Sequence, residues 1–172
     1  MEKIIKLKNL LKNEKIDGYI IPKNDEFFSE YTSKYFDRLN YITNFSGTSG
    51  FCLILKKKKY LFVDGRYTLQ ANDQSGKIFK VMTIPEQMPK KILNKKNYII
   101  GFDPKLYTTK TLKIFFNNTH CKFKPIRNNL VDQIWKREIK KNYNKFYSLP
   151  KNSIGENFQK KIGKIISHLR RK

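Results

Sequence analysis

The 172-residue chain is poor in cysteine, alanine and acidic residues, and it lacks any long apolar run. Its two cysteines, Cys52 and Cys121, have no partners at zinc-ligand spacing, so the sequence indicates neither a metal site nor a disulfide framework. No window approaches the roughly 18 apolar residues that a membrane-spanning helix needs. The first residues also lack the apolar core of a signal peptide. We therefore expect a cytoplasmic protein that does not associate with membranes.

The shortage of acidic residues gives a formal net charge of +23, from 37 Lys and Arg against 14 Asp and Glu. Such an excess raises nucleic acid or an anionic surface as a partner. Along the sequence, however, the lysines are spread out and form no arginine-rich stripe suited to bidentate phosphate contacts. Abundant Lys, Asn and Ile with a single alanine, Ala71, is typical of an AT-rich coding sequence. We favour a solvated lysine-rich surface over a nucleic-acid partner, and keep a stand-alone basic binding module as the alternative.

Apolar segments of strand length alternate with segments of helical period, which predicts an α/β fold with a mixed β-sheet flanked by helices. The first helix comes from apolar residues at helical spacing between Ile4 and Leu11. The strands at 51–55 and 60–63 must form an antiparallel hairpin because only a short lysine turn joins them. Further strands are predicted at 19–21, 78–83, 98–102 and 122–126. Further helices are predicted at 36–45, after Asp64, from Pro85, from a cap at Thr108 or Thr109, and near 130–135.

An arginine stands in the turn Asp64-Gly65-Arg66-Tyr67, where local structure would not favour one. Asp64 can cap a helix that begins at Gly65. Arg66 then lies beside the positive end of the helix dipole, which disfavours a cation by about 0.3–1 kcal/mol. Two interpretations stay open at this point. Either Arg66 pairs with Asp64 at the surface, or it is directed at a ligand or partner.

Two enzyme classes with a similar layer architecture are disfavoured by the residues present. The small-residue loop from Ser46 to Gly50 precedes a strand, whereas a Walker phosphate loop requires Gly-Lys-Ser/Thr at the start of a helix. A free-standing enzyme of the ribonuclease H-like fold would need several carboxylates converging on metal ions. Asp64 and Asp103 end predicted strands, but no third carboxylate is an evident partner.

The composition shifts near residue 136. From there to the end, 12 basic residues stand against Glu138 and Glu156. Pro150, Ser153 and Gly155 indicate a linker. Apolar residues then recur at helical spacing from Phe158 to Leu169, which predicts a final amphipathic helix with no partner for its apolar face elsewhere in the sequence.

Several of these segments together resemble the N-terminal domain of Xaa-Pro aminopeptidase (aminopeptidase P), of the creatinase/prolidase N-terminal domain family. They occur in the family's order and spacing between about residues 17 and 135. The family usually has Gly-Ser-Ala-Gly where this chain has Gly47-Thr-Ser-Gly50, a change that preserves residue size. The matching stretches are Tyr19-Ile-Ile-Pro22, Ser29-Glu-Tyr31, Phe45-Ser-Gly-Thr-Ser-Gly50, Asp64-Gly-Arg-Tyr67 with Leu69-Gln-Ala71, Gly101-Phe-Asp-Pro104 and Asn129-Leu-Val-Asp-Gln-Ile-Trp135.

The resemblance implies a creatinase N-terminal domain over residues 1–135, with a ribonuclease H-like layer architecture. A basic linker would follow over 136–155, and 156–172 would be the truncated first helix of a second, similar domain. Full-length members are metallopeptidases, and their separate catalytic domain binds two metal ions, usually manganese. This chain lacks that domain, so we expect no cofactor and no catalytic residue in it.

The resemblance also implies a role for Arg66, because the family's arginine at this position helps to bind the peptide substrate. The chain would then be a non-catalytic fragment of a hydrolase that removes N-terminal residues preceding proline. Its contribution would be to substrate binding and subunit contacts. We expect it to be inactive alone, and to meet a peptide with a penultimate proline only in a complete enzyme, as a homo-oligomer or beside the missing catalytic domain.

Overall fold

The computed structural model describes residues 1–137, 145 and 147–171. Contacts divide the chain into two units, Met1–Arg137 and Glu138–Lys172. Within the described residues, the first unit contains six strands and six α-helices. The second contains the last helix and a short 3₁₀ turn, Lys151–Ser153.

The first unit is built on a mixed six-stranded sheet, as the sequence predicts. The strand order is β4-β3-β2-β1-β5-β6. Strand β2 pairs antiparallel with β1 and β3, and the other neighbouring pairs are parallel. The strands are β1 (Gly18–Pro22), β2 (Phe51–Leu55), β3 (Lys59–Asp64), β4 (Lys80–Ile84), β5 (Ile99–Phe102) and β6 (Lys122–Pro125).

Helices cover both faces of the sheet. They are α1 (Glu2–Asn13), α2 (Arg38–Thr43), α3 (Thr68–Ser75), α4 (Pro89–Leu93), α5 (Thr109–Phe116) and α6 (Leu130–Ile134); a further helix, α7 (Phe158–Leu169), belongs to the second unit. Alternate strand residues separate the buried side chains into two cores because successive side chains point to opposite faces. Tyr19 and Ile21 lie in a core with residues of α1, α2, α3 and α6, and Ile20 lies in a core with residues of α4 and α5.

The helix predicted from Pro85 begins later than the sequence pattern suggests. Its first helical residue is Pro89, and residues 85–87 form a turn. In that turn Gln87 donates its backbone N–H to the Thr83 carbonyl at 2.8 Å, and its side-chain oxygen accepts from the Thr83 N–H at 3.2 Å. Both prolines suit a helix start and both follow an extended residue, Ile84 at the end of β4 and Met88, so the sequence pattern does not distinguish them.

The second unit supplies the predicted amphipathic helix. Asn157 caps α7 by accepting from the Lys160 N–H at 2.9 Å. Its apolar residues Phe158, Ile162, Ile165, Ile166 and Leu169 are all exposed. Residues 138–144 and 146 of the predicted linker lie outside the described residues. No helix in the described part of the chain has the length and apolar character to cross a bilayer.

Candidate functional site

The sheet topology brings the family-like motifs to one edge. Strand β2 runs opposite to the other five, so the carboxyl ends of those five meet beside the amino end of β2. We call this the carboxyl edge. It consists of the connecting segments 23–37, 44–50, 64–67, 85–88, 103–108 and 126–129. Motifs far apart in sequence thus become neighbours at the end of an α/β sheet, where ligands commonly bind.

At this edge, Asp64 and Arg66 form the tight turn that the sequence suggested. Asp64 ends β3 and accepts the Arg66 backbone N–H at 2.9 Å, which caps a single 3₁₀ turn, Gly65–Tyr67. Helix α3 follows directly from Thr68. The Arg66 guanidinium returns to the same carboxylate, with Nε 3.2 Å from Oδ1 and Nη2 2.8 Å from Oδ2.

The ion pair sets the electrostatics of this turn. The hydrogen bond and charge of Arg66 hold the Asp64 pKa below its usual range, and Asp64 in turn raises the pKa of Arg66. The Arg66 side chain is nevertheless 79% exposed. Nη1 makes no hydrogen bond within residues 1–137, so it can donate to a carboxylate or carbonyl brought from outside. Both interpretations of Arg66 are therefore compatible: it pairs with Asp64 and still faces solvent.

The loop from Ser46 to Gly50 supports the turn from the side. Thr48 Oγ1 lies 2.6 Å from the Tyr67 hydroxyl, and the Phe45 and Tyr67 rings meet edge to face at 5.9 Å. The Arg66 guanidinium lies 5.6 Å from the centre of the Tyr67 ring. Thr48, where the chain departs from the family pattern, thus holds the aromatic neighbour of Arg66.

A cleft of about 450 Å³ lies beside this loop. Its lining includes Lys23, whose ammonium is mostly buried and lies 2.6 Å from Asp37, the residue that caps α2. Thr48 also lines the cleft and connects it to Tyr67. The cleft presents amide, hydroxyl, ammonium and carboxylate groups, which can bond the carbonyls, N–H groups and charged ends of a peptide.

A third cluster, formed by Arg38 in α2, Asp132 in α6 and Glu26 in the connection 23–37, was not predicted from the sequence. Arg38, only 2% exposed, donates to both oxygens of Asp132 at 2.7 and 2.8 Å and to Glu26 at 2.5 Å. Burial opposes the charge on Asp132, but the hydrogen bonds and charge of Arg38 outweigh it and lower the Asp132 pKa. The partners lie 12 and 94 residues from Arg38, so no local pattern could have indicated them.

The carboxylates at this edge do not form a metal centre. Asp132 and Glu26 are paired with Arg38, and Asp103 accepts from the Asn129 amide at 2.8 Å. In residues 1–137, 145 and 147–171, no three His, Cys, Asp or Glu side chains are grouped so as to hold a metal ion. The described residues do not fit a metal-binding role, and no step of a metal-dependent reaction can be derived from them.

Comparison with known proteins identifies the family. A family model for the Creatinase/Prolidase N-terminal domain matches residues 3–134. The Xaa-Pro aminopeptidase 1 of Dictyostelium discoideum is 32% identical over 166 residues, which is 89% of this chain and 26% of that protein. Among solved structures, an X-prolyl aminopeptidase from Caenorhabditis elegans matches 78% of this chain and 25% of its own, with a TM-score of 0.69 and 28% identity. It is described as a cytosolic enzyme with a di-nuclear active site.

The same fold has also been solved as an isolated N-terminal domain. The N-terminal domain of the cytoplasmic peptidase PepQ from Mycobacterium tuberculosis H37Rv matches 78% of this chain and 98% of its own, with a TM-score of 0.60 at 18% identity. The chain thus spans about a quarter of the length of the curated relatives it matches, and most of the length of one solved N-terminal domain.

Proposed function

The chain belongs to the Creatinase/Prolidase N-terminal domain family, as an N-terminal domain of the Xaa-Pro aminopeptidase type, and from this premise we propose that it is the non-catalytic N-terminal part of a cytoplasmic, metal-dependent peptidase. Such an enzyme removes an N-terminal residue that precedes proline. The domain would contribute to substrate binding and to subunit contacts, and the two metal ions, manganese by family likeness, would be held by another part of the protein.

The observation that carries the proposal is the exposed, pre-oriented guanidinium of Arg66. Asp64 holds two of its nitrogens and Tyr67 lies beside it, so few side-chain rotations remain to be frozen when a ligand binds. A guanidinium presents fork-like donors that match a carboxylate or a peptide carbonyl. We assign Arg66 to peptide binding and orientation, while Asp64, Gly65 and Tyr67 shape its turn.

The second unit fits the same proposal. Helix α7 exposes an apolar stripe along its whole length, and a soluble helix normally buries such a stripe against a neighbouring element. We propose that residues 156–172 are the first helix of a second, similar domain and that 136–155 are a basic linker. Reading the DNA downstream of codon 172 tests this. An in-frame or frameshifted continuation that encodes such a domain supports it, and unrelated sequence contradicts it.

Activity measurements test the proposal directly. The purified chain with Mn²⁺ should release no N-terminal residue from an Xaa-Pro peptide, and metal-dependent release would refute the non-catalytic role. In a complete enzyme carrying this domain, Arg66→Ala should lower kcat/KM by roughly 10- to 100-fold, the effect of losing a charged contact to substrate. Arg66→Lys should recover only part of it because an ammonium lacks the fork geometry.

The matched control is Lys110→Ala, which removes an exposed cation from α5, outside the Asp64–Tyr67 turn. It should leave kcat/KM within about twofold of the parent, as is usual for exposed sites away from function. The melting temperature of both variants should match the parent, since both side chains are exposed. An Arg66→Ala enzyme with unchanged kcat/KM would remove Arg66 from the substrate site while leaving the family membership intact.

A further inference from the structure

The opposite end of the sheet differs sharply in charge from the edge that carries Arg66. We call it the amino edge and define it as segments 14–17, 56–59, 76–80, 94–98 and 117–122, which lead into the strands there. Backbone hydrogen bonds connect the central segments. Asp17 donates to the Ile99 carbonyl at 2.8 Å, Lys56 to the Asp17 carbonyl at 3.3 Å, and Lys122 to the Tyr98 carbonyl at 2.8 Å.

The fold concentrates lysine at this edge, although the sequence distributes it widely. The amino edge carries ten lysines against two acidic residues, Glu14 and Asp17; the lysines are 15, 56, 57, 58, 59, 77, 80, 95, 96 and 122. The carboxyl edge carries five basic residues (Lys23, Lys34, Arg66, Lys105 and Arg127) against seven acidic ones (Asp25, Glu26, Glu30, Asp37, Asp64, Glu86 and Asp103). A codon bias acts on all segments alike, so it does not explain this separation.

Lysines also occupy turn positions here that other residues fit better. Lys56 and Lys57 form the tip of the β2–β3 hairpin, which is closed by the Leu55 N–H bonding the Lys58 carbonyl at 2.8 Å. Gly, Asn and Asp are preferred in such tight turns. Lys95 has a φ of 60°, a left-handed conformation that favours Gly or Asn. The like charges repel one another, and in the described structure only Lys56 among the lysines of this edge has an ion-pair partner, Asp17 at 2.7 Å.

The same lysines surround a hollow of about 390 Å³. Lys56, Lys57, Lys58 and Lys96 line it together with Asp17, the buried Tyr60 and the half-buried Tyr98. Ammonium groups beside the partly accessible Tyr98 ring combine two features of single-stranded nucleic-acid sites, namely cations for the phosphates and a ring against which a base can pack. A bilayer surface is a poorer fit, since no large apolar side chain of the amino edge is exposed in the described residues.

We propose that the amino edge is a binding surface for single-stranded nucleic acid, with lysines 56, 57, 58 and 96 on the phosphates and a base against Tyr98 in the hollow. The surface lies at the end of the sheet opposite Arg66, so it is separate from the proposed peptide site. It can be occupied without covering the Asp64–Tyr67 turn.

Fluorescence anisotropy with a labelled 16-nucleotide oligo(dT), measured on the full chain between 50 and 200 mM salt, tests the proposal. The variant Lys56→Gln/Lys57→Gln/Lys58→Gln should bind about tenfold or more weakly at 0.1 M salt. The slope of log K against log salt concentration should be smaller in magnitude by about 2. Each phosphate contact on a single strand contributes about 0.7 to this slope, and the variant loses three. The control variant Lys90→Gln/Lys110→Gln/Lys113→Gln has the same net charge and changes exposed lysines outside the edge. It should bind within about twofold of the parent.

Three results would overturn the proposal. Equal weakening by both variants would mean that binding follows total charge rather than this surface. Absence of oligonucleotide binding by the parent chain at 50 mM salt would remove the activity altogether. Binding of phosphatidylglycerol vesicles without binding of the oligonucleotide would assign the lysines to a lipid surface instead.

Discussion

Arg38 shows how much of a single residue's environment can be decided by distant parts of the chain. It lies at the start of a short helix, in a segment whose local pattern predicts only an amphipathic helix. In the fold its guanidinium is buried between Glu26, from the connection after β1, and Asp132, from helix α6. Arg137 also bonds Asp132, so two cations and two carboxylates compensate one another in a site largely removed from water.

Replacing Arg38 with Ala should lower the free energy of unfolding by about 3 kcal/mol, because two partly buried carboxylates lose their counter-charge. Arg38→Lys should recover only part of this loss, since one ammonium cannot bond both carboxylates with the fork of a guanidinium. Urea denaturation followed by circular dichroism measures both effects.

The control for this prediction is Arg127→Ala, which removes an exposed arginine from the same edge. Its free energy of unfolding should stay within about 0.5 kcal/mol of the parent. Equal stability of Arg38→Ala and Arg127→Ala would contradict a stabilising role for the buried network.

The Asp64–Tyr67 turn illustrates the opposite case, in which the sequence was sufficient. Capping preferences correctly identify Asp64 as the cap, because donor and acceptor are two residues apart. The Arg66–Asp64 pair is one of the two interpretations that the sequence left open. It could not indicate the Thr48–Tyr67 contact, which joins residues 19 positions apart through the folding of two connections.

At the scale of elements, the strands were predicted better than the helix starts. All six strands occur within two residues of the expected positions because runs of Ile, Leu, Phe and Tyr between turn residues leave few alternatives. The helix expected from Pro85 begins at Pro89 instead, since both prolines satisfy the same rule. The order of the strands in the sheet could not be predicted from the sequence. The pairing of β5 with β1 joins segments about 80 residues apart, and it depends on which faces of the sheet the intervening helices cover.

One loop position carries a strong constraint on the element that follows it. Gly50 precedes β2 with a φ of +153°, and a Cβ placed there would lie 2.7 Å from the Phe62 carbonyl oxygen on β3. Gly50→Ala should therefore lower the free energy of unfolding by about 2 kcal/mol, since backbone on both strands must move. Thermal unfolding monitored by circular dichroism measures the shift.

Gly65→Ala is the control, because it makes the same substitution at a glycine where there is room for a Cβ atom. A Cβ at Gly65 would meet no atom within 4 Å, so this variant should unfold at nearly the parental temperature. A Gly50→Ala protein as stable as Gly65→Ala would mean that the loop adjusts freely and places no constraint on the hairpin.

For the whole molecule, the direction of the carboxylate pKa shifts predicts its response to acid. Burial opposes ionisation of Asp25, but the backbone N–H groups of Ser29 and Phe27 outweigh it and lower its pKa, as Arg38 does for Asp132. A lowered folded-state pKa means that the unfolded chain binds more protons in acid. The stabilisation is complete above the unfolded value of about 4 and is lost as the pH falls through the folded values.

The free energy of unfolding should accordingly be constant near neutral pH and decline below about pH 4. Asp25→Asn keeps an oxygen acceptor for the two N–H groups but cannot titrate, so its decline should be shallower than that of the parent. Asp73→Asn, which changes an exposed carboxylate on α3, should follow the parental curve. Urea midpoints at pH 7, 5, 4 and 3 measure the slopes, and parallel curves for all three proteins would exclude Asp25 as a contributor.

The sequence of β6 has a consequence for how the molecule behaves at high concentration. This strand ends the sheet on one side and reads Lys122-Phe-Lys-Pro125, with Lys122 and Pro125 exposed. An open strand is a template for another chain to add to the sheet, and charged residues and proline are the usual protection against such growth. The lysines of this outermost strand thus act as gatekeepers against amyloid-like stacking, a role that needs no ligand and that Lys122→Val with Lys124→Val would remove.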